Sequence, residues 1–512
     1  MKKILFILLM ILTINVYAIA PQVLVNGGEA DIYEEGFTDG VTGVSYDNTT
    51  NTLTLDGYNG KLIELIDFDG ETVSIVVKGT NTIYNEVPGE NPGIAIYNTD
   101  SVNVNITGDD GAEIIFDACQ TGIVSLKGNI TIDNVDMKAI SPDNTIIYLH
   151  NGDLTVKNSE IEVNDSNLNG INVDMGSITL DHVVYTSNSS DADVIIGNSG
   201  NYVITIKNSE FNIEGNTNTA IIGPEIKVYN STFDIKNSNT LFRSVDANTY
   251  IEGSTINVEN IEGVVIALSE IILKGSHING DVISGIFDSG DTSSIISSTV
   301  DVEGEDFVGF YGLTVETTDS DIKLDGCDVA FRGAGIILNN SNVDVKNCGN
   351  PLGGPGLASA VGLELNDSTV KCVTKGFGVL LNLLFVDNSN LSIESTNSLP
   401  AIVVAPVIET EFDSIIGITN ATVRETNLIK DSTYLDSDFM NYEGYAYSFA
   451  KGKLADNYDD STIADLFETV ASTIHIDAIK NPKTGDSLSY YITLMILSIM
   501  TITSCYYVLN KE

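Results

Sequence analysis

Tryptophan is absent from this 512-residue chain, and arginine occurs only at Arg243, Arg332 and Arg424. Lys and Arg together number 24 against 71 Asp and Glu, which gives a formal net charge of −47. Nucleic acids and anionic membrane surfaces are bound through Lys and Arg, so the composition excludes both as partners. The lack of Trp removes the strongest stacking platform for sugar rings, although 21 Tyr residues are present.

Residues that assemble active sites or metal sites are also scarce. The four histidines, His150, His182, His277 and His475, have no metal-ligand partner at a useful spacing. Acidic clusters such as those at Asp67 and Asp109 fall short of the EF-hand loop and of the calcium-binding nonapeptide. We therefore predict no cofactor and no catalytic residue. A bound Ca²⁺ is compatible with the acidity but has no supporting motif.

The N-terminal residues have the layout of a secretory signal peptide. Lys2 and Lys3 give a positive start, residues 4–14 form an apolar core, and the small residues Ala18 and Ala20 follow. Cleavage after Ala18 or after Ala20 is compatible with this pattern, and we take residues 1–18 as the signal peptide. The sequence thus predicts export.

The C-terminal residues combine a short motif with an apolar segment. Asn481, Pro482, Lys483, Thr484 and Gly485 precede an uncharged stretch at 487–510, after which only Lys511 and Glu512 remain. A helix needs about 20 apolar residues to cross a bilayer, so 487–510 is long enough to be a transmembrane segment.

This arrangement resembles the L-P-x-T-G sorting signal of Gram-positive surface proteins. The resemblance implies that a sortase cuts between Thr484 and Gly485 and joins Thr484 to cell-wall peptidoglycan. Residues 481–512 would then be the sorting signal, and the protein would be extracellular and attached to the cell wall. Asn481 stands where Leu is usual, which leaves the sortase class open. Without processing, the C-terminal helix would hold the chain in the membrane.

Between these ends a two-strand pattern repeats with a period of about 22 residues. Stretches such as 154–163 and 204–213 show strand-like alternation on both sides of an Asn-Ser pair. Taking the second residue of the pair as an anchor, the anchors are Val135, Ser159, Val183, Ser209, Ser231, Ser254, Ser276, Ser298, Ser320, Ser341, Ser368 and Ser389. The period and the alternation favour a parallel β-helix over helical repeats or leucine-rich repeats.

The residue before each anchor supports a sharp corner at the same place in every coil. These corner residues are Asn134, Asn158, His182, Asn208, Asn230, Gly253, Gly275, Ser297, Asp319, Asn340, Asp367 and Asn388. Nearly all belong to the residue types that tolerate a positive φ. A β-sandwich would not keep one turn residue in register through twelve repeats, so we predict one stacked corner per coil.

The repeat resembles the right-handed parallel β-helix of the pectate-lyase-like superfamily, whose tight turn often carries a stacked Asn. We therefore predict an all-β fold of about 15 coils in a rod roughly 70 Å long. The predicted organisation is a signal peptide at 1–18, an N-terminal cap at 19–50, the parallel β-helix at 51–425, a C-terminal cap or stalk at 426–480, and the sorting signal at 481–512. A short helix at 461–472, begun by Ser461, is expected in the C-terminal cap.

Four cysteines precede the apolar segment, which is too few for a disulfide scaffold in a chain of this length. Cys327 and Cys348 each lie seven residues after an anchor in adjacent coils, so they should stack, either as a disulfide or as two buried thiols.

Taken together, these features indicate a surface protein that acts in adhesion or surface coating. An extracellular glycan or a host or matrix protein is the expected partner. The alternative is a carbohydrate-active protein, either a polysaccharide-binding protein or, with less support, a lyase or glycosidase. For a lyase, Arg332 would be the first base to test, because Arg is rare within the repeats.

Overall fold

The structure is a computed structural model, and it describes residues 21–26, 30–31, 41–68, 70–98, 100–140, 145–166, 170–190, 193–197, 200–349, 357–375, 378–381, 383–396, 401–404, 415–425 and 473–479. Every helix or strand assigned within these residues is a β-strand, and the predicted parallel β-solenoid is confirmed. The predicted signal peptide, the helix at 461–472 and the sorting signal lie outside the described residues. Among the residues described, no helix is long and apolar enough to cross a bilayer.

Each coil of the solenoid has three sides. The coil that contains Asn230 is an example. Its approach strand, Glu225–Tyr229, leads to the corner at Asn230, and its exit strand, Thr232–Lys236, begins after the corner. Its back strand, Thr240–Ser244, completes the turn. Each pairs in parallel with its counterpart in the next coil, at Thr249–Glu252, Thr255–Ile261 and Val264–Ala267. The two-strand repeat predicted the approach and exit strands, whereas the back strand was not predicted.

The chain divides into two compact units, Met1–Ser159 and Glu160–Glu512. The first unit contains the strands Gln22–Val25, Ala30–Asp31, Val44–Asp47, Thr52–Asp56, Asn59–Gly60, Ile63–Ile66, Thr72–Lys78, Thr80–Tyr84, Ile94–Tyr97, Asn103–Gly108, Glu113–Asp117, Thr121–Ser125, Ile130–Asp133, Asp136–Ile140 and Thr145–Asn151, and Leu154–Ser166 up to Ser159. Its first strands are antiparallel: Gln22–Val25 pairs with Ile63–Ile66, and Val44–Asp47 pairs with Thr52–Asp56. Thr52–Asp56 is the first approach strand and Ile63–Ile66 is the first back strand, so each has an antiparallel strand on its open edge.

In the second unit, three ladders run through successive coils. The approach ladder contains Val203–Lys207, Glu225–Tyr229, Thr249–Glu252, Ile271–Lys274, Thr292–Ile296, Leu383–Asp387 and Ile415–Thr419, and the exit ladder contains Glu210–Asn216, Thr232–Lys236, Thr255–Ile261, His277–Val282, Thr299–Gly304, Asp321–Asp325, Asn342–Cys348, Thr369–Thr374 and Asn390–Ser395. The back ladder contains Ile171–Met175, Ile195–Gly197, Thr219–Gly223, Thr240–Ser244, Val264–Ala267, Gly285–Asp288, Val379–Leu381 and Ile402–Val404. Four longer strands take part in two ladders each, namely Ile178–Ser190, Val308–Thr318, Val329–Asn339 and Leu357–Asn366.

The last exit strands of the second unit are joined by a strand from much later in the chain. Thr473–Ala478 pairs antiparallel with Asn390–Ser395 on one side and with Ala421–Glu425 on the other. Its side chains Ile474 and Ile476 are buried and continue the interior columns of the exit ladder. This strand lies within the predicted cap at 426–480.

The core consists of inward side chains that stack from coil to coil. In Val203–Lys207, Ile204 and Ile206 are buried while the two residues between and after them are half-buried on the outer face, as the alternation of a strand requires. Aromatic rings stack in the same columns: Tyr185 lies on Phe211 at a centroid distance of 5.5 Å, and Phe211 lies on Phe233 at 4.9 Å. Burying a side chain of this size contributes roughly 1.5–3 kcal/mol, so the columns, together with the backbone ladders, hold the coils to one another.

The number of turns differs slightly from the expectation. We expected about 15 coils, and the structure has about 13 turns. We counted one coil for each corner with a strand on either side of it. A complete turn of the solenoid also contains a back strand, which this count did not consider. At the C-terminal end, Ala421–Glu425 pairs antiparallel with Thr473–Ala478 instead of continuing the parallel exit ladder.

The sequence left open whether Cys327 and Cys348 form a disulfide or remain two buried thiols, and the structure shows which is the case. Cys327 and Cys348, in adjacent coils, form a disulfide with a Cα–Cα distance of 4.4 Å. Cys119 and Cys372 are buried thiols, and burial raises the pKa of both to about 12.

Removing the disulfide should destabilise the protein measurably. Closing the 21-residue separation between Cys327 and Cys348 is worth about 3 kcal/mol in the chain-entropy account. We expect a Cys327→Ser, Cys348→Ser double variant to unfold at a lower urea concentration than the wild type. Adding a reductant should lower the wild-type midpoint and leave that of the double variant unchanged. A wild-type midpoint that does not respond to reductant would contradict the bridge.

Candidate functional site

The repeated corner is the most regular feature of the surface. All twelve predicted corner residues, from Asn134 to Asn388, have positive φ values between 44° and 63°. Gly tolerates this region because it has no Cβ to approach the backbone, and Asn and Asp tolerate it because their short polar side chains can hydrogen-bond locally. The left-handed residue turns the chain from the approach strand into the exit strand without a loop.

Behind the corner runs a ladder of buried serine hydroxyls. In the second unit, the backbone N–H of each anchor serine donates to the Oγ of the anchor serine in the next coil, at 2.9–3.3 Å from Ser209 to Ser389. In the first unit, Ser159 Oγ accepts in the same way from the N–H of Val135 at 3.1 Å. We call the contacts of the second unit the serine ladder.

Each hydroxyl of the serine ladder is also a donor. Its Oγ donates to the carbonyl two residues earlier in its own coil, at 2.6–3.0 Å. A sharp corner would otherwise leave the anchor N–H without a partner, because the ladder of a straight strand is interrupted there. The serine therefore supplies an acceptor that the backbone cannot provide.

Removing one hydroxyl of the serine ladder should show how much the stability of the protein depends on it. In Ser276→Ala, the buried N–H of Ser254 loses its acceptor, and we expect a loss of about 1–3 kcal/mol in the free energy of unfolding. The control is Ser294→Ala, which removes a half-buried hydroxyl on the outer face of an approach strand. The two variants are compared by urea denaturation, and equal effects would show that the buried hydroxyl has no special role.

On the outside of the corner, Asn side chains bind to carboxylates of the preceding coil. Asn208 Nδ2 donates to Asp181 Oδ1 at 3.0 Å, and Asn340 Nδ2 donates to Asp319 Oδ1 at 2.5 Å. Donation from Asn208 is the main cause that lowers the pKa of Asp181. At these corners the exposed surface carries an amide paired with a carboxylate of the neighbouring coil.

Two substitutions of Asn208 should distinguish the loss of stability caused by backbone strain from the loss caused by removing the hydrogen bond to Asp181. Asn208→Gly and Asn208→Val both remove the bond to Asp181, but only Val places a branched side chain at φ 50°. We expect the Val variant to be less stable than the Gly variant by about 1–2 kcal/mol. Thermal denaturation of both variants measures the difference, and equal stability would contradict a strained corner.

Two successive corners lack side chains altogether. Gly253 and Gly275 lie under a depression of about 460 Å³, which we call the glycine notch. Its other lining residues are Tyr229, Asn230, Glu252, Lys274 and Ser297. The sequence marked both glycines as corners, but it did not indicate that they open a depression.

Side chains beside the glycine notch form a connected group. Glu252 accepts from the Tyr250 hydroxyl at 2.9 Å and from Lys274 Nζ at 2.8 Å. These two donors lower the pKa of Glu252, with Lys274 the larger cause, and Glu252 in turn raises the pKa of Lys274. The rings of Tyr229 and Tyr250 lie 5.7 Å apart between centroids.

Two further depressions are lined almost entirely by polar side chains. One, of about 470 Å³, follows the corners from Ser297 to Asp367. The other, of about 410 Å³, lies over exit strands, where Lys323 pairs with Asp301 at 3.2 Å and Lys346 with Asp344 at 2.9 Å. Across the described ranges, no group of three or more His, Cys, Asp or Glu side chains is arranged to hold a metal ion.

The remaining candidate residues are dispersed. His182 Nδ1 lies 2.8 Å from Asp181 Oδ1, and His475 Nδ1 lies 2.9 Å from Ser392 Oγ. The guanidinium of Arg332 stacks 5.6 Å from the ring centroid of Tyr311 on the back face. His277 belongs to an exit strand and contacts Thr299 of the next coil. The structure therefore does not gather the histidines or Arg332 into one place.

Asn481 to Gly485 lie outside the described residues, so the structure adds no geometry for the sorting motif. No protein-family model, no curated protein and no solved structure matches the chain.

Proposed function

We propose that the protein is a β-solenoid surface protein that a sortase attaches to the cell wall, where it acts in adhesion or surface coating. The observation that carries the proposal is the order of features along the chain: a signal-peptide pattern, a parallel solenoid, the motif Asn481 to Gly485, and an apolar stretch at 487–510. Export, display and wall attachment require these parts in this order.

The position of the last described strand supports attachment close to the solenoid. Only Ile479 and Lys480 separate Ala478, the end of that strand, from Asn481. The strand is held by backbone pairing on both sides and by two buried isoleucines. A covalent bond at Thr484 would therefore connect the wall to a strand within the solenoid sheet, within about 20 Å of extended chain.

The outer faces of the coils support a role in contact with other molecules. Parallel strands lie about 4.8 Å apart, so outward side chains form columns along each face. These columns carry Asp, Glu, Asn, Thr and Lys, together with exposed or half-exposed Tyr residues such as Tyr229 and Tyr311. Such a surface offers many similar polar contacts, as adhesion or coating requires.

Wall attachment is tested directly by Thr484→Ala in the producing cell. We expect the wild-type protein in the wall fraction, released only by wall-degrading enzymes, and the variant in the membrane or medium fraction, because the scissile threonine is missing. Lys483→Ala is the matched control, since it changes the variable position of the motif and should preserve wall linkage. Unchanged wall linkage of Thr484→Ala would refute the sortase proposal.

A further inference from the structure

The glycine notch interrupts an otherwise continuous row of corner side chains. The residues at the corners on either side of Gly253 and Gly275 are Asn230 and Ser297, both exposed. These flanking corners are three coils apart, which is about 14 Å at one strand spacing per coil. A Cβ placed on Gly275 would meet no atom within 4 Å, so the space above that corner is open.

One wall of the glycine notch is aromatic. Tyr229 lines it, and Tyr250 lies against Tyr229 in the next coil, with both rings half-buried on the approach face. The Tyr250 hydroxyl is held by Glu252, which fixes the orientation of that ring. The half-buried ring of Tyr229, which packs against Tyr250, suits the C–H face of a pyranose, because both surfaces are flat and weakly polar.

The next positions in the same column are polar. Glu252 and Lys274 succeed Tyr229 in register, and both line the notch. The carboxylate can accept further hydrogen bonds from hydroxyls, and the ammonium group can donate to a ring or hydroxyl oxygen. Aromatic surface beside a fixed donor and acceptor is the combination by which a small-molecule site orients a polar ligand.

The electrostatics favour a neutral ligand. Glu252 and Lys274 form an ion pair at 2.8 Å, so the polar wall carries no net charge. The whole chain has a formal charge of −47, which repels uronates and other anions. The depression, of about 460 Å³, is open to solvent and has room for a sugar ring.

We propose that the glycine notch binds a neutral glycan, with one pyranose ring packed on Tyr229 and its hydroxyls bound to Glu252 and Lys274. Gly275 provides the room, because a corner Asn or Asp there would occupy the position of the sugar, whereas the space above Gly253 is bordered by Asn230 Oδ1, 2.6 Å from the position of an added Cβ. The proposal concerns the solenoid surface alone and does not depend on wall attachment.

The test uses the purified full-length protein on an array of neutral and uronate-containing glycans. The strongest retained neutral oligosaccharide is then titrated while tyrosine fluorescence is recorded, which is practicable because the chain has no Trp. Gly275→Asn refills the corner with a residue that tolerates φ +56° and should weaken binding roughly tenfold or more by steric exclusion. Tyr229→Ala removes the stacking ring and should weaken binding about fivefold.

Matched controls change the same residue types elsewhere. Asn340→Gly opens a different corner, and Tyr311→Ala removes an exposed tyrosine from the back face; both should bind like the wild type. Circular dichroism and thermal denaturation establish that each variant is folded. The proposal is overturned if no neutral glycan is retained, if only uronate glycans are retained, or if folded Gly275→Asn and Tyr229→Ala bind as the wild type does.

Discussion

The corner of each coil depends on two residues acting together. A left-handed residue turns the chain, and in the second unit the backbone N–H of the anchor serine after it, which the turn would leave without a partner, donates to the buried hydroxyl of the anchor serine in the next coil. An unsatisfied buried N–H costs about 1–3 kcal/mol, so repeating such corners without the hydroxyls would weaken every coil. The serine ladder from Ser209 to Ser389 therefore helps to fix the register between coils, together with the stacked aliphatic columns.

The same register determines what the surface presents. Because every coil turns at an equivalent residue, outward side chains fall into columns, and a change at one corner alters only a local part of that surface. Gly253 and Gly275 open a notch beside Tyr229 while the backbone path and the serine ladder continue underneath. A local surface feature of this kind can vary without a change in the fold.

Much of this architecture could be predicted from the sequence, since the corner residues are a small set of types and recur with one strand pattern on either side. The back strands could not, because their buried residues, such as Leu241 and Phe242, are adjacent rather than alternating with exposed ones. The pairing of Thr473–Ala478 with Asn390–Ser395 joins residues far apart in the chain, which local patterns do not encode. The serines were recognised as anchors, but their hydrogen bonds depend on coil-to-coil geometry that composition does not contain.

Hydrogen exchange at the corner serines tests the account most directly. Backbone amides at turns normally exchange quickly, since they lack partners within regular structure. If the serine ladder exists, the amides of Ser254, Ser276 and Ser298 exchange as slowly as those of the neighbouring exit strands, because each donates to a buried hydroxyl. Exchange of these three amides at the rate of exposed turn residues would contradict the stacked corner on which the structure depends.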